Sequence, residues 1–277
     1  MYDRFSVVLR IFRERASTKE AKLQLALAEL NYVRKNLHHM KDENFMQFSI
    51  SSSFGGNFDT FFEVKKQLIK EKELKLKKLL EKIDQNNALK KQHRMKVQIP
   101  SVAIVGYTNC GKTSLIKALT NDARLTPENR LFATLDVSVH MVNLPSNLKA
   151  VLIDTIGFIS DIPTTLIHSF RSTLSEICSA DLLVHVTDSS NPDWRQQVET
   201  VHSTLREINV PEKLIDSMVE VSNKVDKISS SEQSELAKQD GDRLLISTTE
   251  RIGLDELKGA IERAIIANTD RLMFDIR

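Results

Sequence analysis

Residues 106–113 read Gly-Tyr-Thr-Asn-Cys-Gly-Lys-Thr, and this stretch decides the fold. It fits G-x-x-x-x-G-K-[ST], with an apolar run at Val102–Val105 before it and a helical pattern at Lys112–Thr120 after it. A strand turning through glycines into a helix is what a phosphate loop needs, because backbone N–H groups and the positive end of the helix then face one anion. The stretch predicts a cradle of Gly106, Tyr107, Thr108, Asn109, Cys110, Gly111, Lys112, Thr113 and Ser114. Lys112 would reach the β- and γ-phosphates, and the Thr113 hydroxyl would bind Mg²⁺.

Further elements follow in order. Asp154-Thr155-Ile156-Gly157 ends the apolar run Ala150–Ile153, as a D-x-x-G element must. Asp154 would hold Mg²⁺ through water, and the Gly157 amide would sense the γ-phosphate. Asn223-Lys224-Val225-Asp226 ends the run Glu220–Ser222 and matches the N-K-x-D element that reads guanine. The Asp226 carboxylate can accept from both N1 and the 2-amino group of guanine, a pairing that adenine lacks. Ser247-Thr248 closes the run from Leu244, where a Ser-Ala pair usually backs the base. It is the weakest element, since Thr stands for Ala. Phe132-Ala133-Thr134 lies between the phosphate loop and Asp154, so position alone makes Thr134 the hydroxyl that completes the Mg²⁺ shell when a γ-phosphate is bound. Apolar runs at Leu182–Thr187 and elsewhere alternate with helical stretches at Thr164–Ser179, Trp194–Ile208 and Leu254–Ala267. That alternation predicts an α/β domain over residues 99–277, a doubly wound, mostly parallel sheet.

Working toward the N-terminus, the texture becomes helical and basic. Residues 1–100 carry 21 Lys and Arg against 12 Asp and Glu, a net of +9, whereas the remaining 177 residues have a net of −7. Such an asymmetry fits an anionic partner, nucleic acid above all, or a solvated lysine-rich surface. Tyr2–Arg13 reads as a strand or the start of a helix. Ser17-Thr18-Lys19-Glu20 has the spacing of a capping box and opens a helix with Leu23, Leu27, Leu30 and Val33 on one face. Ser49–Thr60 reads as a loop. Phe61–Lys96 reads as one long helix or a helical pair bent at Asp84–Asn87, forming a basic arm on residues 1–98 that either projects as a probe or packs on the body. Two cysteines make neither a disulfide framework nor a four-ligand zinc site, so a reducing compartment is expected. No run approaches the roughly 20 apolar residues of a membrane helix, and no secretory leader is evident.

GYTNCGKT, FATLD, DTIGFI with Asp161-Ile162-Pro163, Ala180–Asp188 and NKVD together resemble the HflX family of ribosome-associated GTPases. The segment around Ile11-Phe12, Arg15-Ala16 and Thr18–Gln24 is similar to the end of that family's N-terminal domain. The resemblance implies GTP and GDP as ligands, Mg²⁺ as cofactor, and the large ribosomal subunit and its RNA as partners reached by the helical arm. It further implies a monomer with no membrane or DNA partner, acting in ribosome dissociation and recycling or in subunit assembly. Family members typically carry Gly-Pro-Gly-Glu before the arm, where this chain has Gly55-Gly56-Asn57-Phe58. The expectation is a divergent or truncated member of eukaryotic type, mitochondrial in location, with the cytoplasm as the alternative.

Catalysis would rest on Lys112, Thr134 and Gly157. Many GTPases place a Gln after D-x-x-G to orient water, and here Phe158 stands in its place, so intrinsic hydrolysis should be slow. Help would come from the ribosome, or from K⁺ held by Asn109, which otherwise only shapes the loop. Two readings therefore compete: a ribosome-stimulated GTPase, and a nucleotide-dependent RNA- or ribosome-binding module with little turnover. Cys110 is expected to point outward from the loop. His38-His39 and His185 invite a metal or general base, but His185 sits mid-strand as a core residue would, and no His/Cys spacing is that of zinc.

Overall fold

The computed structural model describes residues 3–48, 55–96, 99–122, 125, 127, 138–158, 176–239 and 243–268. They fall into two compact units, one ending at Lys90 and the other beginning at Lys91.

The first unit is helical: α1 (Arg4–Arg15), α2 (Lys19–Phe48) and most of α3 (Gly55–Lys96). Asp3 caps α1 by accepting from the Ser6 amide at 2.7 Å. Tyr2–Arg13 is therefore mostly a helix of its own, closed against α2 by stacked rings of Phe5 and Tyr32 with centroids 4.9 Å apart. Thr18, one residue beyond the expected cap, accepts from the Ala21 amide at 3.1 Å and starts α2. The buried face of α2 is Ala21, Gln24, Leu25 and Ala28, beside the buried Val8, Leu9 and Phe12 of α1, while Val33 stays 46% exposed. The expected face of Leu23, Leu27, Leu30 and Val33 is corrected accordingly.

The loop expected to run to Thr60 gives way to helix from Gly55, and α3 then runs unbroken through Asp84–Asn87. No bend forms there because Asn in an exposed helix costs only several tenths of a kcal/mol, too little to interrupt 42 residues. The hairpin is instead α2 against α3. Arg34 pairs with Glu73 at 3.3 Å, and Glu20 raises the Asp84 carboxyl after burial has already raised it. Pairs 34–73 and 20–84 run in opposite senses, so the two helices are antiparallel.

The second unit is a six-stranded sheet of β1 (Ser101–Gly106), β2 (Ser138–Asn143), β3 (Lys149–Asp154), β4 (Leu182–Asp188), β5 (Val219–Asn223) and β6 (Leu244–Leu245), in the order β2-β3-β1-β4-β5-β6. All neighbours are parallel except β2 with β3. The helices are α4 (Lys112–Thr120), α5 (Trp194–Glu207), α6 (Glu212–Asp216), α7 (Ser230–Gln239) and α8 (Leu254–Asn268), with a 3-10 turn at Val225–Lys227. The edge strand β2 is absent from the sequence reading because Ser-Val-His-Met-Val-Asn leaves Val139 and Met141 about half exposed and offers no apolar run.

One face of the sheet buries Val102, Ile104, Leu152, Val184 and Val186 under Leu115, Ile116 and Leu119 of α4 and Leu257, Ile261 and Ile265 of α8. The other face carries Leu183 and His185 beneath Val201 and Leu205 of α5. Each such apolar side chain contributes roughly 1.5–3 kcal/mol. Together they fix the C-terminal ends of β1, β3, β4 and β5, from which the site loops leave. No described helix is long and apolar enough to cross a membrane.

Candidate nucleotide-binding site

The phosphate loop leaves β1 at Gly106 and enters α4 at Lys112. Gly111 has φ 101°, and a Cβ there would stand 2.3 Å from Nδ2 of Asn223. Only glycine meets both conditions. The N-cap residue is Gly111, which has no side chain to compete for the first-turn amides of α4.

Lys112 is 6% exposed, and its Nζ donates to the carbonyls of Gly106 at 3.1 Å and Tyr107 at 2.8 Å. Those partners hold a buried ammonium at the centre of the loop. Thr113 Oγ1 donates to Asp154 Oδ2 at 2.7 Å. The two residues expected at Mg²⁺ are thus adjacent, one from α4 and one from the end of β3. Hard oxygens are the donors that ion demands. Thr155 donates to the Ile104 carbonyl at 2.6 Å, and Ile156 packs inward, which anchors the D-x-x-G segment to β1.

One expectation changes. Cys110 is fully buried, not outward: the missing Cβ of Gly106 makes room for it, since a Cβ there would lie 2.8 Å from Sγ. Burial pushes its thiol pKa up, and the nearby Lys112 only partly offsets this. Asn109 has φ 64°, its side chain is exposed, and its carbonyl accepts from Lys224 Nζ at 2.8 Å. Loop shaping is the role its backbone carries.

Phe158 is 2% exposed. Its amide donates to the Gly106 carbonyl at 3.1 Å, and its carbonyl accepts from the Thr108 amide at 2.7 Å. This parallel clamp zips the D-x-x-G segment to the phosphate loop. Gly157 is thereby pressed in so close that a Cβ would meet Thr108 Cα at 2.9 Å and Lys112 Nζ at 3.1 Å. Gly157, expected to sense the γ-phosphate, therefore stands beside the ammonium.

On the base side, Asn223 is completely buried. Its Nδ2 donates to the Cys110 carbonyl at 2.9 Å, and its Oδ1 accepts from the Thr248 amide at 3.3 Å. It ties three loops together. Lys224, at φ 64°, donates to Asp188 Oδ2 at 2.6 Å as well as to Asn109. Asp226 is exposed on the 3-10 turn, and its Oδ1 accepts from the buried Ser247 hydroxyl at 2.6 Å. Ser247 also accepts from the Glu250 amide at 3.0 Å. The pair Ser247-Thr248, weak as a motif, is firmly built into the site.

Asp188 and Ser189 are the residues the sequence reading overlooked as site members. Asp188 lies opposite Asn223 in the β4–β5 register, and Ser189 Oγ donates to the Asn223 carbonyl at 2.6 Å. The available signal was a carboxylate at the C-terminal end of a parallel strand, where the crevice of an open sheet lies. Ser114 follows Thr113 in the first turn of α4. Phe132, Ala133 and Thr134 lie outside the described residues, as do Asp161–Pro163 and most of the expected helix Thr164–Ser179.

Residues 101–224 match a family model described as 50S ribosome-binding GTPase, and residues 15–94 match one described as GTP-binding GTPase Middle Region. GTPase HflX of Magnetococcus marinus is 37% identical over 263 residues, which cover 95% of this chain and 60% of the relative. The solved structure of a GTP-binding protein from Sulfolobus solfataricus in complex with GDP is 30% identical, with a TM-score of 0.56 and coverage of 97% of this chain and 73% of that one.

The chain belongs to the HflX family. A further relative, GTP-binding protein 6 of Xenopus laevis, is 42% identical over 277 residues, all of this chain and 52% of the relative. The chain spans about half the length of this relative and of its counterparts in Homo sapiens and Mus musculus. HflX membership covers both parts of the molecule: the middle-region match falls on α2 and α3, and the GTPase match runs from β1 to Lys224.

Proposed function

We propose that this chain binds guanine nucleotide, hydrolyses GTP slowly on its own, and acts on the large ribosomal subunit in dissociation and recycling or in subunit assembly. The observation that carries the nucleotide reading is the Asp226 carboxylate, exposed yet held by a buried serine, on the loop that Asn223 and Lys224 tie to the phosphate loop. A carboxylate fixed there selects a base with two adjacent donors. Lys112 and the first-turn amides of α4 bind the phosphates, and Gly157 senses the third. Thr113 and Asp154, with Thr134 by position, are the residues that would hold Mg²⁺, an ion that neutralises phosphate charge during transfer. K⁺ at Asn109 remains a proposal from sequence position alone.

Phe158 favours a partner-dependent rate. Its ring is buried and cannot orient water, while its backbone clamps the sensor, so ordering of the attacking water falls to the partner. The same residue favours the second reading, a nucleotide-gated ribosome-binding module with little turnover. The ribosomal half rests on the family and on α3, whose Lys65, Lys66, Lys70, Lys72, Lys75 and Lys78 are all exposed. Lysines spaced along a helix contact RNA backbone rather than base edges, so the contact would follow shape and charge. We place the protein with a mitochondrial ribosome on the Gly55–Phe58 departure, with the cytoplasmic one as alternative.

Co-sedimentation with purified large subunits tests this. Binding should be stronger with a non-hydrolysable GTP analogue than with GDP, and should fall steeply as salt rises. Binding indifferent to both nucleotide and salt would refute it.

A further inference from the structure

Away from the nucleotide loops, on the α5 side of the sheet, two imidazoles and a carboxylate meet. His185 of β4 and Glu220 of β5 are partners in the parallel register, and His202 reaches them from α5. His185 Nδ1 lies 2.9 Å from Glu220 Oε2, and His202 Nε2 lies 3.4 Å from Glu220 Oε1. One donor atom from each of the three falls within 4.8 Å of the others, and the two rings stand edge to face at 82°. We propose that His185, His202 and Glu220 form a Zn²⁺ site.

The geometry suits that ion. With bonds of about 2.0–2.2 Å, neighbouring ligands on a tetrahedral Zn²⁺ stand about 3.3 Å apart, so the three donor atoms, within 4.8 Å of one another, would draw together on the ion. Two histidines and a glutamate are a known donor set for zinc, leaving the fourth position for water. Imidazole nitrogens disfavour Mg²⁺ and Ca²⁺. His185 is 1% exposed, and its Nδ1 and Glu220 Oε2, both buried, make no aligned hydrogen bond among the described residues despite their closeness. A metal would satisfy both atoms along their lone-pair directions, where a proton between them could make only a bent contact. His202, about a quarter exposed, supplies the mobile ligand and the path of entry.

One neighbour opposes the ion. Arg243 Nη2 lies 3.3 Å from Glu220 Oε2, and its guanidinium covers the ring of Trp194 at 5.2 Å. Burial by itself would push the Glu220 pKa up, but contact with His185 and His202 and the charges of His185 and Arg243 pull it down to about 2. Zn²⁺ would displace Arg243 from the Glu220 carboxylate, while Arg243 keeps its Thr187 partner. Because Trp194 is the only tryptophan, its emission reports the exchange. The consequence is mechanical: the ion would pin α5 to the two strands that end, three rungs further on, at Asp188 and Asn223.

The test is Zn²⁺ titration of chelator-stripped protein in excess Mg²⁺, so that Thr113 and Asp154 do not compete. We expect uptake of one equivalent, a change in Trp194 emission and a raised Tm, with Co²⁺ giving the visible absorption bands of a tetrahedral N/O site. His202→Ala, at a partly exposed position, and Glu220→Gln should each weaken Zn²⁺ by about tenfold or more and lose the Co²⁺ bands. Absence of saturable uptake, or uptake of equal affinity in both variants, would overturn the proposal.

Discussion

The proposed function concentrates the specificity of the site in one carboxylate, that of Asp226. Replacing it by Asn exchanges two acceptors for one acceptor and a donor, so two hydrogen bonds to guanine can no longer both form. Each is worth about 1.5 kcal/mol or more when one partner is charged. Asp226→Asn should therefore weaken GDP about a hundredfold while xanthosine diphosphate, which offers an acceptor in place of the 2-amino group, gains; calorimetry with both ligands checks it. Cys110 gives a second prediction at this scale. Being buried, with a raised thiol pKa, it should resist iodoacetamide at neutral pH while the half-buried Cys178 reacts, as peptide mass mapping would show. The phosphate loop, D-x-x-G and N-K-x-D were legible because each needs particular residues at fixed spacing. Asp188 and Ser189 were not, since their partners Lys224 and Asn223 are distant in sequence and only strand pairing brings them together. The same reason hid the His185, His202 and Glu220 cluster.

At the scale of elements, the parallel strands were readable as short apolar runs because both of their faces are covered. Leu152 in β3 is fully buried, and Leu152→Ala should cost about 2–5 kcal/mol in denaturant unfolding. Strand β2 escaped notice because an edge strand with one open face needs no such run. The face of α2 was misplaced because its leucines suggest the seam, whereas small Ala21 and Ala28, beside Gln24 and Leu25, are what is buried. In α3, composition suggested a bend at Asp84–Asn87, but continuity of backbone hydrogen bonds outweighs weak local preference. Asn86 is exposed within that helix, so Asn86→Ala should raise the thermal stability of the helical signal, by up to about 0.7 kcal/mol. A weaker helical signal in that variant would mean that the chain turns there after all.

Across the whole molecule, charge divides as the fold does: a basic helical unit and an acidic nucleotide unit. If α3 grips ribosomal RNA through its phosphates, Lys72→Glu with Lys75→Glu should weaken binding to large subunits. The slope of log affinity against log salt should also fall, by about one for each phosphate no longer neutralised. Nucleotide affinity should stay unchanged, since neither lysine belongs to the site. The central claim is that this HflX-family chain is a GTPase whose turnover waits for the ribosome, because Phe158 supplies a clamp where a water-orienting side chain would stand. The measurement that tests it most directly is GTP turnover with and without purified large subunits, run beside Lys112→Ala. Phosphate release should be slow for the protein alone, markedly stimulated by subunits, and lost under both conditions in the variant. GTP binding without turnover in either condition would contradict the claim and leave a nucleotide-gated binding module.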